Sequence, residues 1–204
     1  MIALIDYRAG NLTSVKKALA AVGAEVVVPQ RPEDLAAAAG VIVPGVGHFG
    51  ATRALDEPWV NAIVARVGEG RPLLGICLGM QWLFESSEEA PDLKGLGVLP
   101  GRCHRLGGDR SSSTTMCKVP HVGWNSLRFQ RDGWIVDGVA QGAQVYFTHS
   151  YVAPVTGDAV AVTEHGETFA AVVQRRHVAG VQFHPEKSGD VGLQVLRNFV
   201  ELAR

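Results

Sequence analysis

The first half of the chain alternates short apolar runs with stretches whose apolar residues recur at helical spacing. The apolar runs are IALID (2–6), EVVV (25–28), GVIV (40–43) and PLLGI (72–76). One helical face is formed by Val15, Ala18, Leu19 and Val22, and Gly23 is placed to end that helix. Helical patterns also cover residues 32–39 and about 51–67. This alternation predicts βαβ units, and hence a parallel sheet with helices on both faces.

The second half contains apolar runs separated by Gly, Pro and polar residues, which predict strands. These runs are LGVL (96–99), QVYF (144–147), AVAV (159–162), FAAVVQ (169–174) and AGVQF (179–183). GGDRSSSTT (107–115) predicts a polar loop, and Leu193, Leu196 and Val200 share one face of a predicted closing helix. We expect an open, doubly wound α/β fold with a mostly parallel central sheet, flanking helices and a β-rich second half. We also expect a single domain over residues 1–204.

Composition narrows the class of partner. The 204 residues are 47% hydrophobic, which is ample for a large core, and the formal net charge is -1. Nucleic acids and anionic membranes favour clustered Lys and Arg, so we expect neither as a partner, but a small molecule or another protein. No apolar run reaches the roughly 18 residues of a membrane-spanning helix, and no signal peptide is evident.

The cysteines bear on compartment and metal binding. Cys77, Cys103 and Cys117 cannot all pair, and none lies in a C-x-x-C motif, so a reducing cytoplasm is expected. Cys103 beside His104, and Cys117 near His121, lack the ligand spacing of structural zinc sites. We predict buried thiols at Cys103 and Cys117, no metal and no cofactor.

Cys77 lies in PLLGICLGMQWLF (72–84), where a predicted strand meets a predicted helix. Gly75 and Gly79 flank it at i−2 and i+2, as in the G-x-S-x-G turns that expose a nucleophile. Ligands bind at this edge of an open α/β sheet, and a helix N-terminus stabilises a thiolate. A small packing residue in a tight turn is the alternative, because buried free cysteines are common.

A candidate base lies in VAGVQFHPEKS (178–188). In extended backbone, which Pro185 favours at His184, residues i and i+2 point to the same side, so Glu186 can orient the imidazole. Cys77, His184 and Glu186 would then be nucleophile, general base and acid, and orienting carboxylate. The histidines without a comparable carboxylate in the sequence are His48, His104, His165 and His177.

An oxyanion site is predicted in VPGVGHFG (43–50), which follows a predicted strand. Backbone N–H groups of Val46 and Gly47, next to Gly45, would lie at the same sheet edge as the nucleophile. The N–H of Leu78 would be a second donor. An ordinary glycine turn is an equally good interpretation of this segment.

Three motifs in this order, PG-x-G (44–47), G-x-C-x-G-x-Q (75–81) and HPE (184–186), resemble the triad glutamine amidotransferases over essentially the whole chain. The resemblance implies that Cys77 attacks the side-chain amide of L-glutamine and that His184 protonates the departing ammonia. Water then releases glutamate from a glutamyl thioester. The substrate-binding residues that it implies are Gly45, Gln81, His149, Ser150 and Tyr151.

KVPHVGWN (118–125) and YFTHSY (146–151) are similar to segments of one branch of that family, the glutaminase subunits of imidazole glycerol phosphate synthase. This implies a heterodimer with a barrel-fold cyclase that receives the ammonia and makes imidazole glycerol phosphate and AICAR in histidine biosynthesis. Positions matching the docking face or ammonia entrance are Asn11, Trp124, Tyr146 and Lys187. Without the resemblance, the two aromatics would be interpreted as core residues and the lysine as a solvated charge.

One position departs from the family pattern, because Arg8 stands where glycine is usual. The resemblance therefore does not predict which contact this position makes at the docking face. Three alternative functions also remain. They are a glutaminase serving another synthase, such as that of anthranilate or pyridoxal phosphate, a non-catalytic subunit of the same fold, and a cysteine peptidase. The segment KVPHVGWN disfavours another synthase. The presence of all three triad residue types disfavours a non-catalytic subunit, and Gln81 disfavours a cysteine peptidase.

Overall fold

The computed structural model describes residues 1–107 and 118–204. Cys117 and residues 108–115 of the predicted polar loop lie outside the described residues. The first part of the chain alternates strands and helices as the hydrophobic pattern predicts. Its elements are β1 (Ile2–Leu4), α1 (Leu12–Ala21), β2 (Val26–Val27), β3 (Gly40–Gly45), α2 (Glu57–Gly68), β4 (Leu73–Cys77) and α3 (Leu78–Trp82), with 3-10 helices at Pro32–Ala37 and Phe49–Ala54.

The second part is mostly β-structure and ends in a helix. Its elements are β5 (Ser86–Ser87), β6 (Arg102–Arg105), β7 (His121–Ser126), β8 (Arg128–Phe129), β9 (Gln144–His149), β10 (Tyr151–Val152), β11 (Ala159–His165), β12 (Glu167–Arg175), β13 (Val178–Val181) and α4 (Gly189–Leu202), with 3-10 helices at Trp134–Val136 and Pro185–Lys187. Within the described ranges, no helix has both the length and the apolar character needed to cross a bilayer.

The central sheet has eight strands in the order β2-β1-β3-β4-β13-β12-β11-β8. The strands from β2 to β13 run parallel, and β12, β11 and β8 continue the sheet antiparallel. Cys77 pairs with Gly45 on β3, and Ile76 pairs with Val181 on β13. The carboxyl end of β4 is therefore flanked by the carboxyl ends of β3 and β13, which brings three chain segments to one place.

Alternate residues of the central strands enter two cores, one on each face of the sheet. On β1, Ile2 and Leu4 pack in one core and Ala3 in the other. Helices α1 and α4 complete the first core, and α2 and α3 complete the second. Because both faces are covered, these strands are continuous apolar runs in the sequence. The predicted doubly wound α/β fold is confirmed, while the prediction of a single domain stays a prediction.

Three predicted helices differ from the structure in form or extent. The helix predicted over about 51–67 is a 3-10 helix followed by a separate α-helix, because Asp56 accepts a hydrogen bond from the Trp59 N–H and caps a new start at Glu57. The helix predicted over 32–39 is 3-10 in form. The closing helix begins at Gly189, before the predicted Leu193 face.

The strand predicted at 96–99 is not formed. Instead, the N–H groups of Leu96, Gly97 and Leu99 donate to the carbonyls of Trp82, Phe84 and Leu83. These carbonyls belong to the last residue of α3 and to the two residues after it, so the segment 96–99 pairs with the end of a helix rather than with the edge of a sheet. The helix predicted after Cys77 is α3, which has only five residues.

The same Thr→Val substitution at two buried threonines should change the free energy of unfolding in opposite directions. The Thr52 hydroxyl donates to the Phe49 carbonyl at 2.8 Å, whereas the buried Thr163 hydroxyl has no partner in residues 1–107 and 118–204. Thr52→Val should lower the free energy of unfolding by about 1 kcal/mol, and Thr163→Val should raise it by up to about 1 kcal/mol. Urea denaturation of both variants measures this, and shifts of the same sign would contradict it.

Candidate active site

Cys77 occupies a sharp turn from strand to helix. Its backbone is left-handed (φ 53°, ψ −105°), and α3 begins at the next residue. A Cβ on Gly79 would lie 1.8 Å from the Val43 carbonyl oxygen, and one on Gly75 would lie 2.5 Å from the Gly79 oxygen. Only glycine fits at these two positions, so the surroundings hold Cys77 in a backbone conformation that a non-glycine residue rarely adopts.

Next to Cys77 lies a cavity of about 300 Å³. Its lining residues are Gly47, Cys77, Leu78, Gln81, Glu89, Pro120, Thr148, His149, Ser150 and Tyr151. The structure thus brings most of the predicted substrate-binding residues to the sulfur, and Gly45 pairs with Cys77 in the sheet beside them. The Cys77 side chain itself is only slightly accessible, with a residue exposure of 5%.

His184 and Glu186 form a buried pair. His184 Nδ1 and Glu186 Oε1 are 2.8 Å apart, and both side chains are 2% exposed. His184 is extended (φ −98°, ψ 100°), as Pro185 favours, but Glu186 lies in a 3-10 turn rather than in the extended backbone that we expected. The Lys187 N–H closes this turn on the His184 carbonyl. The predicted contact between His184 and Glu186 is present, but a 3-10 turn rather than an extended backbone brings the two side chains together.

The environment of His184 favours its protonated form. Burial alone would lower the pKa of this imidazole, but its interactions with Cys77 and with Glu186 outweigh burial and raise the pKa to about 10. Nε2 is buried and has no hydrogen-bond partner of standard geometry in the described ranges, but the nearby Cys77 is among the groups that raise this pKa. A protonated imidazole beside a thiol is the charge arrangement that stabilises a thiolate.

The predicted oxyanion segment lies at the same sheet edge. Gly47 (φ 90°) and Leu78 line the cavity, and Leu78 is the first residue of α3, whose N–H has no acceptor within the helix. The Val46 N–H instead donates to the Ala9 carbonyl at 3.1 Å. A Cβ on Gly45 would lie 2.1 Å from the Tyr7 hydroxyl, so this position also requires glycine.

The predicted substrate segment 149–151 is held by a chain of hydrogen bonds. The Tyr151 carbonyl accepts from Gln81 Nε2 at 2.8 Å and from His149 Nδ1 at 3.1 Å. Since a carbonyl only accepts, His149 Nε2 is the acceptor for His121 Nδ1 at 3.2 Å, and His121 Nε2 faces Asn125 Nδ2 at 3.4 Å. This directional chain requires both imidazoles to be neutral.

The pKa shifts of these two imidazoles agree with that requirement. Burial, followed by the neighbouring His165, lowers the pKa of His121 to about 4. Burial, followed by His121, lowers the pKa of His149 to about 3. Among the residues that the structure describes, neither gains a carboxylate partner such as the one His184 has, so desolvation prevails. The site thus contains one imidazole that retains its proton and two that do not.

Trp124, Tyr146 and Lys187 come together on the surface. Trp124 is 56% exposed and meets the Tyr146 ring edge-on at 6.0 Å, and Lys187 Nζ lies 5.8 Å from the centre of that ring. Exposure rules out a core role for Trp124. Asn11 caps α1 through the Ser14 N–H at 3.2 Å, and α1 packs against the turn that carries Lys187. We call Trp124, Tyr146 and Lys187 the aromatic surface.

Two further sequence interpretations need correction or refinement. His104 does have a carboxylate, because Nε2 lies 2.9 Å from Glu167 Oε2, but this pair lies outside the cavity lining and is about one-third exposed. Arg8 adopts φ 62°, a left-handed conformation that glycine adopts more readily than other residues. In the ranges that the structure describes, no group of three His, Cys, Asp or Glu residues could hold a metal.

Sequence reasoning missed Gln182 and Tyr7. Gln182 Nε2 donates to the Cys77 sulfur at 3.6 Å. The buried Tyr7 hydroxyl touches Gly45, and burial, with a smaller contribution from Cys77, raises its pKa well above the usual range. Gln182 could have been found from its position two residues before His184, but only if β13 was known to be the neighbour of β4.

The chain matches the model of the family described as glutamine amidotransferase class-I over residues 3–202. It therefore belongs to the class-I glutamine amidotransferases. Two relatives are each named imidazole glycerol phosphate synthase subunit HisH. The one from Moorella thermoacetica is 48% identical over 100% of this chain and 95% of its own, and the one from Methanothermobacter thermautotrophicus is 42% identical over 100% of both chains. Within the family, the chain belongs with these HisH proteins, which confirms the resemblance seen in the motifs.

Solved structures agree on the fold. A crystal structure of a glutamine amidotransferase has a TM-score of 0.72 at 24% identity, covering 100% of this chain and 99% of its own. PurLQS from Thermotoga maritima has a TM-score of 0.73 at 18% identity, covering 100% and 98%. At such identities the likeness concerns the fold alone.

The turn at Cys77 can be tested with a pair of glycine substitutions. Gly79→Ala should lower the free energy of unfolding by at least about 3 kcal/mol, because its Cβ has no room against the Val43 carbonyl. Gly68→Ala, at the end of α2, meets no atom of the described residues within 4 Å and should be neutral or stabilising. Thermal and denaturant unfolding compare the two, and a well-tolerated Gly79→Ala would contradict the packing described.

The raised pKa of His184 predicts a specific pH dependence. Since the folded pKa of about 10 exceeds the ordinary value of about 6.5, the stabilisation from protonated His184 is complete below the ordinary value. It is lost as the pH rises through about 10. In Cys77→Ala the pKa of His184 should fall, because one of the two interactions that raise it is removed.

Titration of the ¹⁵N-labelled imidazole by NMR measures this pKa. Cys103→Ala is the matched control, because it removes a buried thiol that does not contribute to the His184 shift. An unchanged His184 titration in Cys77→Ala would exclude this interaction between His184 and Cys77.

Proposed function

We propose that the chain hydrolyses L-glutamine to glutamate and ammonia, with Cys77 as nucleophile, His184 as general acid and base, and Glu186 as the carboxylate that orients His184. The observation that carries the proposal is Cys77 in a left-handed turn at the cavity, beside the buried His184–Glu186 pair. Membership of the class-I glutamine amidotransferases supports glutamine as the substrate.

The charges suit the chemistry of each step. The Cys77 thiolate attacks the amide carbon of glutamine, and protonated His184 gives its proton to the departing ammonia. The resulting glutamyl thioester is attacked by water, for which the now neutral His184 is the base. A pKa of about 10 means that His184 carries the required proton at neutral pH.

The oxyanion of each tetrahedral intermediate needs backbone donors. We assign these to Leu78 together with Val46 and Gly47. The Val46 N–H has to leave the Ala9 carbonyl before it can donate, so the isolated chain is expected to be slow.

Glutamine would occupy the cavity beside Cys77. We assign Gln81 and the backbone of His149, Ser150 and Tyr151 to substrate binding, with Gly45 beside the oxyanion segment. The Ser150 carbonyl is already bonded to the Leu106 N–H, and the Tyr151 carbonyl to Gln81 and His149. The remaining polar groups of this segment, and Gln81 Oε1, are the ones that we assign to the ligand.

The partner is proposed from the relatives, whose printed name makes each a subunit of imidazole glycerol phosphate synthase. We assign the aromatic surface, together with Asn11, to a cyclase subunit in a cytoplasmic heterodimer for histidine biosynthesis. Released ammonia would pass to that cyclase, which makes imidazole glycerol phosphate and AICAR. An exposed Trp124 is the kind of aromatic anchor that protein interfaces use.

The rate of glutamate release tests the proposal. The isolated chain should hydrolyse glutamine slowly, and addition of the cyclase and its acceptor substrate should accelerate it, because partner binding can free the Val46 N–H. A coupled glutamate assay measures both rates. Equal rates would argue against partner activation, and activation by a different synthase would favour the alternative of another pathway.

Two His–Glu pairs supply matched variants for this assay. Cys77→Ala and His184→Asn should each reduce the stimulated rate by about 1000-fold or more. His104→Asn breaks the other pair, away from the cavity, and should retain activity. Full activity in Cys77→Ala would leave only a non-catalytic role for this cysteine.

A further inference from the structure

Gln182 is a fully buried amide in direct contact with the candidate nucleophile. Its exposed fraction is 0%, and its backbone N–H is bonded to the Ala171 carbonyl at 2.9 Å. Because Val181 on β13 pairs with Ile76 on β4, the next residue along β13 lies beside Cys77. Strand pairing, rather than a flexible loop, thus places the Gln182 side chain.

The orientation of the Gln182 amide follows from its neighbours. Gln81 Nε2 donates to the Tyr151 carbonyl at 2.8 Å and to Gln182 Oε1 at 3.1 Å. Since Gln81 presents a donor, the Gln182 atom that faces it is the oxygen, and the Gln182 N–H group then faces the Cys77 sulfur at 3.6 Å. The Tyr151 carbonyl, which only accepts, therefore sets the direction of both amides.

A hydrogen-bond donor that faces the sulfur stabilises the thiolate form of Cys77 more than the neutral thiol. A thiolate accepts this hydrogen bond fully, whereas a neutral thiol is a weak acceptor. The bond also restricts the position of the sulfur relative to Gln81, which lines the cavity. A side chain that merely filled space would need neither the amide oxygen nor the amide N–H.

We infer that Gln182 is a positioning residue, which holds the Cys77 sulfur as a hydrogen-bond acceptor and couples its position to that of Gln81. This inference rests on the proposed glutaminase function and deepens it. The two amides form a buried bridge from the nucleophile to the carbonyl of Tyr151, at the segment that we assign to substrate. Occupation of the cavity would thereby influence the sulfur through Gln81 and Gln182.

Other titratable groups also face this sulfur. His184 interacts with it from the end of β13, and Tyr7 from the loop after β1. His149 and Glu89 line the same cavity, and Glu186 lies behind His184. Gln182→Met leaves all of these groups in the chain and adds no charge, so a change in thiol reactivity in that variant reports the loss of the amide.

The test is alkylation of Cys77 by iodoacetamide as a function of pH, followed by mass spectrometry of the Cys77 peptide. Gln182→Met, which keeps the length but removes both polar groups, should move the midpoint of the profile up by about one pH unit. Glutaminase kcat in the complex should fall about tenfold. Gln182→Glu turns a carboxylate towards the sulfur, so the midpoint of its alkylation profile should rise further. Because it keeps an acceptor for Gln81, its KM for glutamine should be closer to wild type than that of Gln182→Met.

Asn198 supplies the matched control. It is another buried amide, bonded to the carbonyls of Ile135 and Asp137 away from the cavity, so Asn198→Leu should lower stability and leave the alkylation profile unchanged. A wild-type profile and kcat in Gln182→Met would overturn the inference. If that variant does not fold, an unshifted profile in Gln182→Glu would overturn it instead. A wild-type complex without glutaminase activity would refute the proposed function alone, and the alkylation profiles would still decide the role of Gln182.

Discussion

The close approach of two backbone segments at Gly79 is the constraint on which the site depends. The Val43 carbonyl occupies the space where a side chain at Gly79 would begin, and Gly75 is equally confined by the turn that follows it. These contacts allow β4 to pass into α3 with Cys77 in left-handed backbone. The sulfur is consequently presented at the sheet edge, between the loop after β3 and the end of β13. Strain of this type persists only where packing around it leaves no alternative.

Burial lowers the pKa of all three site histidines, but only His121 and His149 end with a lowered pKa, whereas that of His184 is raised. For His184, the interactions with Cys77 and Glu186 exceed the desolvation penalty, so the proton is retained. For His121 and His149 no carboxylate within residues 1–107 and 118–204 compensates, and burial keeps both neutral. The neutral pair can therefore form the chain of hydrogen bonds that holds the Tyr151 carbonyl, whereas His184 carries the proton that the proposed reaction needs. The same residue type thus has a structural role in one place and a proposed chemical role in another.

The differences between expectation and structure have local causes. The pattern over residues 51–67 indicates helix throughout, but a capping side chain at Asp56 divides it. The apolar run at 96–99 has strand character, yet its N–H groups donate to carbonyls at the end of α3 and just after it instead of to a strand. Glu186 reaches His184 from a tight turn rather than an extended chain. In each case a few specific hydrogen bonds determine the local structure and override the helix or strand that the sequence pattern predicts.

The sequence by itself determined the βα alternation, the turn at Cys77 and the pairing of His184 with Glu186, because these depend on local periodicity, on glycine spacing and on residues two apart. It also carried the motifs that identify the family. Only the tertiary structure decided that β13 lies beside β4, and hence that Gln182 touches the sulfur. It likewise decided that the Val46 N–H is held by Ala9, and that Trp124 lies on the surface. Strand order and the direction of a peptide group arise from contacts between residues far apart in the chain, and no local pattern encodes them.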